Sequence, residues 1–127
     1  MSSYKDLDIY KIAFELSIKV HHFSLLLPKF ELYEQGSQVR RSSKSVKDQI
    51  TEGYGRRRYK ADFIKFLVYA QASNDECCGQ IETIIGLYPD NEGWPGLYEE
   101  YIILGKKINN FIQYVESNWK LSVPKIG

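Results

Sequence analysis

The sequence predicts an all-α protein, an antiparallel up-down-up-down four-helix bundle. Apolar residues recur at steps of three and four along four long segments, which is typical of helices with one buried face. Strand signals are weak, because apolar and polar residues never alternate for long. Breakers separate the segments at Pro28, at Gly53 with Gly55, and at residues 89–96. Four segments of roughly 22 residues would give helices about 33 Å long, and short connections make neighbours antiparallel.

The first helix is expected at about residues 4–26, and it carries two apolar stripes. The stripes are Leu7, Tyr10, Phe14, Ile18 and Leu25, and Ile9, Ile12, Leu16, Val20 and Phe23. Together they are wider than one buried face of a surface helix requires. Either this helix is central in the bundle, or one stripe meets another subunit.

The second helix is expected at about residues 31–53, and small residues dominate its buried seam. The seam is Leu32, Gly36, Val39, Ser43, Val46, Ile50 and Gly53. Small residues let helices approach closely but contribute little apolar area. The paired glycines at the end suit a helix C-terminus, where a positive φ is common.

The third and fourth helices are expected at about residues 59–87 and 96–120. The fourth has a heptad seam: Leu97, Tyr101, Leu104, Ile108, Phe111 and Val115. Such a seam favours packing at about +20° to a neighbour. We therefore expect one domain at residues 1–122 and a loose tail at residues 123–127.

The composition indicates a soluble protein of a reducing compartment. Apolar residues make up 43% of the 127 residues, which is enough for a core. The two cysteines, Cys77 and Cys78, are adjacent and form no disulfide framework. No signal peptide and no apolar run of about 20 residues is present. We expect a cytoplasmic protein without membrane contact.

Charge is concentrated in residues 37–60, which hold eight basic residues and two acidic ones. This segment has a net charge of +6, the rest of the chain has −5, and all five arginines lie within it. A surface polarised in this way suggests an anionic partner, such as RNA or DNA.

The predicted nucleic-acid-binding residues are the cations of this segment that should face water. They are Arg40, Lys44, Lys47, Arg56, Arg57, Arg58 and Lys60. Arginine forks pair well with phosphate oxygens, and Tyr54 and Tyr59 beside the arginines either stack on bases or pack against the bundle end. The alternative is a solvated face whose triple arginine complements the negative end of the helix dipole.

No motif predicts catalysis, a metal or a cofactor. The hydroxyl and amide flank of the second helix, which includes Ser42 and Ser45, lacks the surroundings of a nucleophilic serine and suggests a polar contact between helices. The adjacent His21 and His22 do not form a chelating pair. We expect no enzymatic activity and no small-molecule substrate.

Several segments together resemble the four helix bundle protein family, also called the ribosomal-RNA intervening-sequence protein family. They are ELY at 31–33, QVRRSSKSV at 38–46, ITEGYGR at 50–56, FIKFL at 63–67 and LGKKINNFI at 104–112. The resemblance implies a four-helix bundle that forms a homopentamer without enzymatic activity. A related branch, the accessory protein of diversity-generating retroelements, binds nucleic acid. The hallmark positions, to which we assign a role in structure or assembly, are Gln38, Arg41, Ser45, Glu52, Gly53 and Gly55, with Arg56 beside them.

Two functions remain open from the sequence. The first is an oligomeric protein that binds RNA or DNA backbone through the basic segment. The second is a protein-interaction or assembly module without nucleic acid, as the wide apolar faces suggest. In that case an Arg41–Glu52 pair would have to form between chains or between helices, because side chains of one helix meet at i+3 or i+4.

Overall fold

Four long helices make up most of the protein. The computed structural model describes residues 3–120, and within that range it has no strand. The helices are α1 (Asp8–Ser24), α2 (Gln35–Gly55), α3 (Lys60–Leu87) and α4 (Trp94–Asn118), with 3₁₀ turns at Tyr4–Asp6 and Lys29–Tyr33. The predicted four-helix bundle is confirmed, and the expected tail at 123–127 lies outside the described residues.

The first two helices begin later than predicted, at Asp8 and at Gln35. A 3₁₀ turn lies where each predicted helix was expected to begin. At the N-terminus, the Ser3 hydroxyl accepts from the Lys5 N–H while the Asp6 carboxylate accepts from the Ser3 N–H. This capping box closes a short turn, and Leu7 then takes an extended conformation that stops it. The second turn follows Pro28 and ends at Glu34, where the backbone leaves helical geometry.

The end of α2 also differs from the prediction. The helix continues to Gly55, and among residues 3–120 only Gly93 has a positive φ, of 95°. Gly53 serves close packing instead, since a Cβ there would lie 3.1 Å from the Cβ of Phe66 on α3. A Cβ at Gly55 would meet nothing within 4 Å.

The predicted seams form the core. On α2, Val39, Val46 and Ile50 are fully buried, and every residue of the α4 seam except the partly buried Phe111 is buried as well. On α1, the stripe that contains Leu16 reaches the core, and Leu7 of the other stripe, just before the helix, is buried there as well. The other stripe leaves three side chains about half exposed: Phe14, Ile18 and Leu25.

Where two helices are in contact, the residue numbers rise along one helix and fall along the other. From α2 to α3, Ser42 meets Gln80 and Ser45 meets Ser73. The same reversal relates α3 to α4 and α1 to α4, through Asn74–Tyr101, Phe63–Phe111, Lys19–Glu100 and Phe23–Trp94. This order supports the antiparallel up-down-up-down arrangement, and it places the α2–α3 connection at the same end of the bundle as the end of α4.

Candidate nucleic-acid interface

The predicted cations fall into two groups at different places on the bundle. One group lies along α2, and the other lies in and just after the connection between α2 and α3. The two groups are Arg40, Lys44 and Lys47, and Arg56, Arg57, Arg58 and Lys60.

The prediction that Arg40 faces water is wrong. Its guanidinium turns towards the α1–α2 connection, where it donates to the Ser24 hydroxyl at 2.9 Å and to the Leu32 carbonyl. Arg40 follows the seam residue Val39, so helical geometry places it beside the seam, and the α1–α2 connection folds back over that side of α2. Arg40 therefore ties α2 to the end of α1 and is not available to a phosphate.

Replacing Arg40 by alanine is expected to lower the free energy of unfolding by about 1–3 kcal/mol, because a partly buried carbonyl and a hydroxyl lose a charged donor. The same change at the exposed neighbour Arg41, whose guanidinium lies 3.5 Å from the Ser37 hydroxyl, should cost less than about 0.5 kcal/mol. Urea denaturation of both variants measures the difference. Equal losses would show that the Arg40 hydrogen bonds do not stabilise the fold.

The remaining cations of α2 differ in how freely they reach solvent. Lys44 is exposed, as predicted. The Lys47 side chain is only 23% exposed, and its ammonium lies 2.7 Å from the carboxylate of Asp48. On this helix, Lys44 and Arg41 are consequently the cations most open to a partner.

The connection after α2 holds the larger group of cations. Arg56 pairs with Glu52 at 2.9 Å and lies 3.7 Å from Asp62. Arg57 lies over the Tyr54 ring, with 4.0 Å between its guanidinium carbon and the ring centroid, and Arg58 is exposed. Ion pairs between half-exposed side chains are weak and screened by salt, so phosphates can compete for Arg56.

The two tyrosines beside the arginines have different environments. Tyr54 is buried against Phe63, with ring centroids 6.1 Å apart, so it packs against the bundle end and does not stack on bases. Tyr59 is 64% exposed at the start of α3. Next to it, the ammonium of Lys60 donates to the carbonyl of Glu116 on α4, at 2.7 Å.

Three residues that were not among the predicted ones extend this surface along α3: Lys65, Phe66 and Tyr69. Lys65 lies 5.8 Å from the Phe66 centroid and 5.9 Å from the Tyr69 centroid, and Arg56 lies 4.9 Å from the same Phe66 ring. A helical projection of α3 could have found Lys65 and Tyr69, which are four residues apart and both exposed.

One family model matches most of the chain. It is described as 23S rRNA-intervening sequence protein, and it matches residues 5–110. The chain belongs to this family. No curated protein matches it. The range that matches the 23S rRNA-intervening sequence protein family includes all of α1, α2 and α3 and both groups of cations.

The hallmark residues of this family member mostly contact their own chain. The Ser45 hydroxyl lies 2.9 Å from that of Ser73, which agrees with a polar contact between α2 and α3. Glu52 pairs with Arg56 one helical turn away, so it does not require Arg41 of another chain. Gln38 and Arg41 are exposed on α2.

The two cysteines are free and buried. Burial raises the pKa of Cys77 to about 12 and that of Cys78 to about 11, which keeps both thiols protonated and unreactive near neutral pH. Among residues 3–120, no three His, Cys, Asp or Glu side chains are grouped as metal ligands. In the same range, no helix has the length and apolar content of a membrane span.

Proposed function

We propose that this member of the 23S rRNA-intervening sequence protein family is a non-enzymatic, oligomeric cytoplasmic protein that binds the backbone of RNA or DNA. The observation that carries the proposal is the α2–α3 connection, where four of five consecutive residues are basic. The four are Arg56, Arg57, Arg58 and Lys60.

The electrostatics of this end of the bundle support an anionic partner. Of the carboxylates in the described structure, Glu52 and Asp62 pair with Arg56, whereas Arg58 has no ion pair with any of them. Lys44 on α2 is also exposed and without an ion pair in the described part of the chain. When such exposed cations contact the phosphates of a nucleic acid, they displace the counterions bound there. This release of counterions makes the affinity depend on the salt concentration.

Exposed apolar side chains support the oligomeric part of the proposal. They lie on α1 and in the α1–α2 connection: Phe14, Ile18, Leu25, Leu26, Phe30 and Tyr33. Exposed apolar side chains in such number are typical of a contact surface. The resemblance described above makes a homopentamer the expected assembly.

The variant Lys44→Ala/Arg58→Ala is expected to bind both RNA and DNA more weakly than the wild type. If each contacts one phosphate, the slope of log affinity against log salt falls by roughly 2 for duplex DNA. Fluorescence anisotropy with labelled oligonucleotides from 50 to roughly 200 mM salt measures both quantities.

A matched control removes two lysines far from the basic connection. Lys19→Ala/Lys29→Ala deletes the same charge on α1 and in the turn before α2, and the 21 residues of α2 place that turn about 30 Å from the basic connection. The control should keep the wild-type slope. A slope that falls equally in both variants, or the absence of wild-type binding at low salt, would contradict the proposal.

The alternative is an assembly module that does not bind nucleic acid, and the exposed apolar side chains on α1 favour it independently of the cations. The same experiment separates the two functions. Under the alternative, light scattering finds an oligomer at micromolar concentration while neither RNA nor DNA changes the anisotropy at low salt.

A further inference from the structure

Cations and aromatic rings alternate on one exposed surface at the basic end of the bundle. All the cation–π contacts between described residues fall within residues 54–69, although such contacts occur roughly once per 70–80 residues. We call this the cation–aromatic surface, and define it by its accessible members: Arg56, Arg58, Tyr59, Lys65, Phe66 and Tyr69.

Two rings of this surface are open to solvent. Tyr59 is 64% exposed and Tyr69 is 44% exposed. Tyr69 packs edge-on against Phe66, with the ring centroids 5.4 Å apart, and Lys65 lies beside both rings. The Tyr69 ring is therefore held in place before any ligand arrives, which lowers the entropy that binding costs.

The spacing of the two rings suits a short length of strand. They are separated by ten residues along α3 and its N-cap, which corresponds to about 15 Å of helix. At the spacing of about 3.4 Å between stacked nucleotides, this distance spans four or five of them. Sites of about 4–16 nucleotides are usual for proteins that bind single strands through aromatic platforms.

We infer that the partner is single-stranded nucleic acid, whose bases stack on Tyr59 and Tyr69 while its phosphates contact Arg58 and Lys65. A duplex buries its base faces in its own stack, so it can use the cations of this surface but not the exposed rings. This inference rests on the proposed function, and it adds the strandedness of the ligand and the residues that distinguish it.

The decisive experiment compares a labelled 12-nucleotide single strand with the matching 12-base-pair duplex at low salt. Tyr59→Ala/Tyr69→Ala should bind the single strand at least tenfold more weakly than the wild type, since each stacked base contributes substantially to affinity. Its affinity for the duplex should change less than twofold. Tyr59→Phe/Tyr69→Phe keeps both ring faces and should bind the single strand like the wild type.

Leu87→Ala is the control, because Leu87 is 55% exposed at the opposite end of α3 and lies outside both this surface and the exposed apolar group on α1. It should leave binding to both oligonucleotides unchanged. Circular dichroism of all four proteins should be the same, since the replaced side chains are exposed.

The outcomes separate this inference from the proposed function. If the wild type prefers the duplex, or if Tyr59→Ala/Tyr69→Ala binds the single strand normally while Lys44→Ala/Arg58→Ala does not, the inference is wrong and backbone binding stands. If the wild type binds neither oligonucleotide, the proposed function itself is wrong.

Discussion

Replacing Phe63 by alanine is expected to lower the free energy of unfolding by about 3–5 kcal/mol, as is usual for a buried phenylalanine. The Phe63 side chain is fully buried on α3. Its ring meets Tyr54 of α2, Phe111 of α4 and the Trp119 that follows α4, with centroids 6.1, 6.0 and 5.1 Å away. Its loss would leave a cavity where three parts of the chain meet.

Tyr69→Ala is the control for this prediction, because it removes an aromatic ring from the same helix at a site that is 44% exposed. Exposed substitutions of this kind usually change the free energy of unfolding by less than about 1 kcal/mol. Urea denaturation followed by circular dichroism measures both variants. If Phe63→Ala costs no more than Tyr69→Ala, the aromatic cluster does not hold the basic end of the bundle together.

Alanine at Gly36 is expected to lower the free energy of unfolding by about 1–3 kcal/mol, the usual cost of overpacking. A Cβ at this position would lie 2.5 Å from the carbonyl oxygen of Glu31 and 2.9 Å from a guanidinium nitrogen of Arg40. The first contact is with backbone, which cannot rotate away, so the α1–α2 connection would have to shift and the Arg40 hydrogen bonds would weaken with it.

Gly86→Ala makes the same chemical change where there is room. Nothing lies within 4 Å of a Cβ at Gly86, near the end of α3. Alanine should increase the free energy of unfolding there by about 0.5–1 kcal/mol, since glycine is the poorer helix former. Opposite signs for the two glycines are the expected result of thermal and urea denaturation, and a shared sign would contradict the packing described for Gly36.

Patterns that depend on helical periodicity alone were predicted well. The seams of α2 and α4 follow from steps of three and four, and the structure buries Val39, Val46 and Ile50 as expected. The periodicity also found both apolar stripes of α1. It could not say which stripe meets the core, because that depends on where α2 and α4 pack.

Features that depend on how connections fold were predicted poorly. Arg40 lies beside the seam, but its partners are Ser24 at the end of α1 and Leu32 in the following connection. The sequence does not reveal the path of that connection. Gly53 has two possible uses, a positive φ at a helix end or close packing. Only the position of Phe66 across the helix pair shows that the second applies.

The candidate interface was predicted only in part, because some of its residues come together only through the packing of helices. The basic run at 56–58 is visible in the sequence, and Arg58 is exposed there. Lys65 and Tyr69 join it only because α3 packs against α2 closely enough for Arg56 to lie over Phe66.

The two polar contacts between α2 and α3 have a consequence for how the chain selects one structure. Much of the α2 seam is glycine, serine and valine, so few large side chains fix the alignment of α2 along α3. A shift of α2 by one turn would separate Ser42 from Gln80 and Ser45 from Ser73 together, and the Ser42 hydroxyl would keep only its bond to the Val39 carbonyl of its own helix. These bonds therefore fix the alignment of the two helices, and with it the place where the basic connection emerges from the bundle.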